Sequence, residues 1–214
     1  MKKTAVLFDL DGTLINTLED LTDCMNMALA EFGFSPITTG QCRPLLGIGL
    51  RHLCEQSLPA GKLGDTDELM TRFRSFYDKH FMAKSFPYPG IMELTDELAA
   101  RGVKMAVVTN KNEDISAVMI RKVFGDAKFV TVRGAINGIG CKPDPKVTLD
   151  VVALLGSTPA KTLFVGDGEA DLDVAQNAVI ESVWVSWGFR TLEELDGRKP
   201  NHIINHPMDL LRVM

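Results

Sequence analysis

TAVLFDLDGT, residues 4–13 of the chain, joins a short apolar run to two aspartates and a glycine. Uninterrupted apolar residues up to Phe8 are typical of a strand that is buried on both faces of a parallel sheet. Similar valine-rich runs lie at residues 103–108 and 162–165. These runs predict three strands of one parallel sheet.

Helical patterns separate the apolar runs. They cover residues 91–101, 114–124 and 146–155. A glycine follows each pattern directly, and glycine commonly ends a helix. Further strand candidates lie at residues 129–132, 182–185 and 202–204. The alternation of strands and helices predicts an α/β fold with a doubly wound parallel sheet.

Residues 16–86 break this alternation, because they contain consecutive helical patterns and no convincing strand. Apolar side chains recur at helical spacing from Leu18 to Phe32 and again from Leu69 to Phe81. Such stripes are packing surfaces. The sequence therefore predicts a helical domain at 16–86, inserted into an α/β core domain formed by 1–15 and 87–214.

Composition excludes several classes of protein. The 214 residues include 23 Lys and Arg against 28 Asp and Glu, a net charge of −5, so we expect no nucleic-acid partner. No apolar run approaches the roughly 18 residues of a membrane span, and Asp9 and Asp11 interrupt any targeting segment at the start. The four cysteines form no CxxC pair and are interpreted as reduced thiols. We expect a cytoplasmic monomer or small homo-oligomer.

Polar residues follow the predicted strands at the edge where open α/β sheets bind ligands. These are Asp9, Asp11 and Thr13 after the first strand, Thr109, Asn110 and Lys111 after the second, and Asp167 and Asp171 after the third. Lys142 precedes another predicted helix. Trp184 and Trp187 flank a later strand end and are interpreted as packing residues.

Asp9 and Asp11 point to the same side of extended backbone, because alternate residues do. One aspartate can attack phosphorus and form an acyl phosphate, while the other protonates the departing oxygen and later activates water. The Thr13 hydroxyl can contact phosphate. Mg²⁺ suits carboxylates combined with phosphate, and Asp167 would complete its ligands. A calcium loop fits poorly, because the glycine comes too early. A solvated acidic cluster remains the alternative.

The complete set of motifs resembles the haloacid dehalogenase superfamily of phosphatases. The resemblance implies that Asp9 is the nucleophile, that Asp11 is the acid and base, and that Lys142 orders the nucleophile and offsets phosphate charge. It also implies phosphate binding by Thr109 and Asn110. The implied Mg²⁺ ligands are Asp9, the Asp11 backbone carbonyl and Asp167, with Asp171 in support. The helical insertion resembles the C1 cap of this superfamily, and we call residues 16–86 the cap.

Within that superfamily the chain is most similar to phosphoglycolate phosphatases, through residues 109–111 and the cap segment 46–51. Arg51 in this segment could bind the carboxylate of the substrate, although a solvated surface arginine is the alternative. The other activities that stay open are pyrophosphatase, sugar-phosphate phosphatase, phosphoglucomutase and a non-catalytic phosphate-binding module. The sequence departs from the family pattern at Gly168, where serine or threonine is commoner, and at Val179, where glycine is usual.

Overall fold

A computed structural model describes residues 2–136 and 141–214. In this part of the chain the strands are β1 (Ala5–Phe8), β2 (Ile15–Asn16), β3 (Phe86–Pro87), β4 (Lys104–Asn112), β5 (Val132–Ala135), β6 (Thr162–Gly166), β7 (Glu181–Val185) and β8 (His202–Ile204). The α-helices are α1 (Leu18–Glu31), α2 (Thr39–Cys42), α3 (Leu50–Ser57), α4 (Thr66–His80), α5 (Ile91–Ala100), α6 (Glu113–Phe124), α7 (Pro145–Leu154) and α8 (Glu169–Asn177).

Six strands form one parallel sheet in the order β5-β4-β1-β6-β7-β8. Helices cover both of its faces. Val6 and Phe8 of β1 pack with α5 and α6 on one face, whereas Ala5 and Leu7 pack with α7 and α8 on the other. The four β1 side chains are fully buried, which explains why the strand has no polar face. The predicted doubly wound α/β sheet is confirmed.

The edge strand β5 differs from its prediction. It covers Val132–Ala135 rather than residues 129–132, although the backbone of Val130 already donates a hydrogen bond to Met105 in β4. Phe129 turns inward and packs edge-on against Phe8 and Phe124. Its apolar character therefore reflects a core contact made before the regular strand begins, which periodicity does not distinguish from a strand residue.

The cap helices α1 to α4 form a second apolar cluster. Its fully buried members include Met25, Leu29 and Leu69, and Phe189 of the core also reaches into it. The antiparallel pair of β2 and β3, in which Ile15 faces Pro87, connects the cap to the core. The predicted boundaries coincide with this ribbon, and the division into two domains stays a prediction.

No helix within the described ranges is long and apolar enough to cross a membrane.

Candidate active site

Two aspartates follow adjacent strands at the centre of the sheet. Asp9 directly follows β1, and Asp167 directly follows β6. These strands pair in parallel with Phe8 opposite Val165, and the Asp9 N–H continues the pairing by donating to the Val165 carbonyl over 2.9 Å. The two carboxylates therefore meet at the edge where the sequence predicts the site.

Lys142 lies between two carboxylates in the protein interior. Its Nζ is 2.9 Å from Asp9 Oδ1 and 2.6 Å from Asp171 Oδ1, and all three side chains are at most 5% exposed. Burial by itself lowers the pKa of Lys142, but the charges of Asp171 and Asp9 outweigh it and raise that pKa. Lys142 is therefore a permanent cation beside Asp9.

Asn110 positions the backbone around Lys142. Its Oδ1 accepts from Lys142 N over 2.8 Å, and its Nδ2 donates to the Lys142 carbonyl over 3.2 Å. The same Nδ2 donates to the carbonyl of Gly47 in the cap over 3.0 Å. Thr109 is buried beside Asn110, and its hydroxyl accepts from Lys111 N over 3.3 Å. Phosphate binding by Thr109 and Asn110 stays a prediction.

Asp167 is held by two hydrogen bonds. The Thr13 hydroxyl donates to Oδ1 over 3.0 Å, and the Phe189 N–H donates to Oδ2 over 2.7 Å. Gly12 has a φ of +85°, and a Cβ on it would lie 2.5 Å from Asp167 Oδ2, so this position requires glycine. Thr13 thus supports Asp167, while its predicted contact with phosphate stays a prediction.

The two tryptophans do more than pack. Trp184 Nε1 donates to the Asp167 carbonyl over 2.8 Å, and Trp187 Nε1 donates to the Thr13 carbonyl over 3.1 Å. The interpretation as packing residues alone is therefore incomplete. Both lie at the carboxyl end of β7 or just after it, next to β6, and that position is the signal in the sequence that could have assigned them to the site.

Three buried carboxylates, those of Asp9, Asp167 and Asp171, suit a cation. Ligand oxygens from all three lie within 4.8 Å of one another, and Asp9 Oδ1 is buried without an aligned hydrogen bond. Lys142 supplies only one positive charge among them.

Burial and the charges of Asp171 and Asp9 raise the pKa of Asp167 to about 8. Burial likewise raises the pKa of Asp171 to about 6, although Lys142 opposes the rise. An oxygen-binding divalent cation would balance this charge, so the residues fit Mg²⁺.

The side chain of Asp11 has its own partners, Thr17 and Lys111. Thr17 Oγ1 donates to its Oδ1 over 2.8 Å, and Lys111 Nζ lies 3.1 Å from both of its oxygens. The predicted metal contact of Asp11 through its backbone carbonyl stays a prediction.

A cavity of about 340 Å³ opens above the carboxylates. Its core side includes Asp9, Asp11, Asn110, Lys142 and Asp167, and its cap side is formed by Leu46, Gly47 and Ile48. The cavity therefore places Asp9 and Asp11 in one space that is covered by the cap.

Comparison with known proteins shows which family this chain belongs to. The family of haloacid dehalogenase-like hydrolases matches residues 6–185. The chain belongs to this family. It is 31% identical over 212 residues to a phosphoglycolate phosphatase of Mesorhizobium japonicum, covering 96% of this chain and 92% of that one. It is also 30% identical over 209 residues to a phosphoglycolate phosphatase of Aquifex aeolicus, covering 98% and 95%.

A solved structure from Lactobacillus delbrueckii subsp. bulgaricus shares the whole fold. Its TM-score is 0.90 at 29% identity, and the match covers 100% of this chain and 98% of that chain. Together with the sequence relatives, this match confirms the predictions of a haloacid dehalogenase-like fold and of a phosphatase of this family.

Arg51 lies outside the cavity in this member of the family. Its Nη2 is 2.6 Å from Asp67 Oδ1, its Nη1 is 3.7 Å from Glu55, and its side chain is 55% exposed. Among the described residues, those that line the cavity do not include Arg51. Binding of a substrate carboxylate requires Arg51 to release Asp67, an exposed partner of the kind that contributes little. This role stays a prediction.

Arg190 is a residue of the site that sequence reasoning missed. It lines the cavity, is 6% exposed and pairs with Glu169 over 3.0 Å. Its guanidinium also donates to the carbonyls of Arg43, Pro44 and Leu46 in the cap over 2.9 to 3.0 Å. Arg190 therefore fixes the cap segment that enters the cavity. It follows β7 at the edge of the sheet where ligands bind, and that position was the available signal.

The two departures from the family pattern have different consequences. Gly168 lacks a hydroxyl, but its N–H donates to Asp171 Oδ2 over 2.9 Å, so Asp171 is still held. Val179 has a φ of +56° and is 80% exposed. This left-handed conformation is strained for a β-branched residue, which is the physical reason why glycine suits the position.

Proposed function

We propose that the protein is a Mg²⁺-dependent phosphomonoesterase that cleaves small phosphate esters through an aspartyl phosphate on Asp9, with 2-phosphoglycolate as the leading substrate. The observation that carries the proposal is the environment of Asp9. Its carboxylate is buried, lies 2.9 Å from the ammonium of Lys142 through Oδ1 and lines the cavity.

The first half of the reaction forms the intermediate. An Asp9 oxygen attacks phosphorus, and the bond between phosphorus and the ester oxygen breaks. Asp11 lines the same cavity and gives its proton to the departing oxygen. Lys142 offsets the negative charge that accumulates near Asp9 and keeps the attacking oxygen in place.

The second half of the reaction restores the enzyme. The Asp11 carboxylate takes a proton from a water molecule, which attacks phosphorus, and the bond between phosphorus and Asp9 breaks. Asp9 leaves as a carboxylate, and Asp11 is protonated for the next cycle. The cap excludes bulk water while Asp9 carries the phosphoryl group.

Asp9 and Asp167 would hold the metal with the Asp11 backbone carbonyl, and Asp171 would support them. When bound, Mg²⁺ neutralises charge on the phosphate and orients it. The fit rests on the carboxylate oxygens that lie within 4.8 Å of one another.

Two observations support a small substrate. Relatives that cover nearly the whole chain are phosphoglycolate phosphatases, and the cavity of about 340 Å³ is suited to a small ester. We also infer a cytoplasmic location, because all four cysteines are buried free thiols. A monomer or small homo-oligomer remains our expectation.

A panel of phosphate esters tests the function. We expect 2-phosphoglycolate to give the highest kcat/KM, EDTA to abolish turnover, Mg²⁺ to restore it and Ca²⁺ to restore it poorly, because calcium binds with looser geometry. A higher kcat/KM for pyrophosphate or a sugar phosphate would reassign the substrate. Phosphate binding without turnover of any ester would instead identify a non-catalytic module, and full activity in EDTA would refute the metal requirement.

A further inference from the structure

Lys111 connects the cap to the candidate acid and base. It lies at the end of β4, its side chain is only 5% exposed, and its Nζ is 3.1 Å from both oxygens of Asp11. The same Nζ donates to the phenolic oxygen of Tyr77 over 2.6 Å, and Tyr77 belongs to cap helix α4. One buried ammonium therefore contacts a core carboxylate and a cap hydroxyl.

These contacts account for the charge of Lys111. A buried ammonium needs hydrogen-bond acceptors for its three N–H groups, and Asp11 and Tyr77 supply them. The Tyr77 ring also lies 4.5 Å from Nζ, a distance that allows a cation–π contact. Burial, followed by the charges of Asp11 and Asp20, raises the pKa of Tyr77 well above its usual value. The phenol therefore stays neutral and serves as an acceptor for Lys111.

Lys111 and Tyr77 reach the cavity through their contacts with Asp11. The described residues that line the cavity include Asp11 but neither of these two. Thr17, the other donor to Asp11, follows β2, at the start of the cap. The orientation of Asp11 is thus fixed on one side by the connection to the cap and on the other by Lys111, which the cap itself holds.

We propose that Lys111 and Tyr77 are positioning residues that orient Asp11 for proton transfer only when α4 of the cap is docked on the core. The proposal rests on the proposed role of Asp11 as acid and base. Under this proposal the leaving group is protonated efficiently only while the cap is docked, because an undocked α4 removes the Tyr77 hydroxyl that holds Lys111. Commitment to the chemical step then follows closure of the cap.

The dependence on the leaving group separates this role from a structural one. An alkoxide, such as that from 2-phosphoglycolate, needs a proton to depart, whereas p-nitrophenolate leaves without one. The ratio kcat/KM includes only the steps through formation of the phosphoryl enzyme, so it isolates the protonation step. Misplacement of Asp11 should therefore lower kcat/KM for the alkyl ester and leave kcat/KM for the aryl ester nearly unchanged.

The variants are Lys111→Met and Tyr77→Phe. Tyr77→Phe keeps the ring, which stacks on Phe73 with centroids 5.3 Å apart, and removes only the acceptor. We expect each variant to lower kcat/KM for the alkyl ester by about tenfold or more, with a change below about twofold for p-nitrophenyl phosphate. The double variant should be no worse than Lys111→Met, because both remove one connected interaction.

Lys122→Met is the matched control. Lys122 is exposed on α6, and its Nζ lies 4.9 Å from the ring of Phe81, so it resembles Lys111 in its aromatic contact. The Lys122→Met variant should leave kcat/KM unchanged for both esters. Equal losses on the two esters in Lys111→Met or Tyr77→Phe, no loss on either, or additive losses in the double variant would overturn the proposal.

Asp11→Asn distinguishes failure of this proposal from failure of the proposed function. If Asp11→Asn selectively loses the alkyl ester but Lys111→Met does not, only the positioning role is wrong. If Asp11→Asn itself loses both esters equally or neither, Asp11 is not the acid, and the positioning role is refuted with it.

Discussion

The Lys142 ammonium lies 2.9 Å from Asp9 Oδ1, and neither side chain is more than 5% exposed. A charge pair at this depth depends on both partners, because removal of one leaves the other buried without compensation. The carboxylates of Asp171 and Asp167 lie in the same cluster, so the loss of this one cation affects all of them.

We predict that Lys142→Met abolishes turnover and lowers the free energy of unfolding by about 3–5 kcal/mol at neutral pH without metal. Urea unfolding in EDTA measures the second effect. The control is Lys146→Met, an exposed position on α7. Unchanged stability of Lys142→Met would contradict the buried charge cluster.

Mg²⁺ binding should release protons. The pKa of Asp167 is raised to about 8 and that of Asp171 to about 6, against an ordinary value of 3.8. Both shifts are upward, so without metal the buried pair of Asp167 and Asp171 keeps a proton to higher pH than free carboxyls do and loses it as the pH rises. Because Mg²⁺ binds carboxylates, its affinity should rise from pH 6 to pH 8 by at most about tenfold per pH unit for each proton. Titration calorimetry in two buffers of different ionisation enthalpy measures the protons released, and an affinity independent of pH would contradict the prediction.

Much of this site could be predicted from the sequence, because it depends on backbone topology. Apolar runs identify the strands, parallel strands end at one edge, and Asp9 and Asp167 therefore meet without any knowledge of packing. Lys142 is different. It lies between elements, and only the resemblance to a known family indicated that it would contact Asp9.

The contacts between cap and core could not be predicted in the same way. Lys111 and Tyr77 are 34 positions apart on different elements, and their contact depends on how α4 packs, which no local pattern encodes. Arg190 follows β7, which marks its position as a candidate for the site, but the sequence does not show that its side chain is buried against the cap. The cap segment that contains Arg51 contributes Ile48 to the cavity lining, and substrate binding by Arg51 stays a prediction.

Arg51→Ala tests which cap residue selects the substrate. Binding of a carboxylate by Arg51 predicts that the variant lowers kcat/KM for 2-phosphoglycolate by on the order of tenfold, with little loss for p-nitrophenyl phosphate. Asp67→Ala is the control, because it frees Arg51 from its partner and should not lower either value. Equal losses, or none, would assign the selection to other residues of the cap.

Val179→Gly should stabilise the protein. The left-handed backbone at Val179 costs roughly 1–2 kcal/mol for a residue with a Cβ, and glycine relieves it at a smaller entropic cost, for a net gain of about 1 kcal/mol. The side chain is 80% exposed, so its loss removes little packing. Val118→Gly in helix α6 is the contrasting control and should destabilise the protein, because glycine is less favourable than valine inside a helix. A lower melting temperature of Val179→Gly would contradict the strain.

Trapping of the phosphoryl group tests the proposed role of Asp9 most directly. In the Asp11→Asn variant, Asp9 should still accept the phosphoryl group from p-nitrophenyl phosphate, because p-nitrophenolate departs without an acid. Hydrolysis of the phosphoryl enzyme should be slow, because the variant lacks the base that activates water. Mixing this variant with p-nitrophenyl phosphate and Mg²⁺, then quenching in acid and mapping the peptides by mass spectrometry, should give one phosphoryl group per chain, located on Asp9. A burst of p-nitrophenolate equal to the protein concentration should accompany it. Steady turnover without a burst, or a phosphoryl group on any other residue, would contradict nucleophilic catalysis by Asp9.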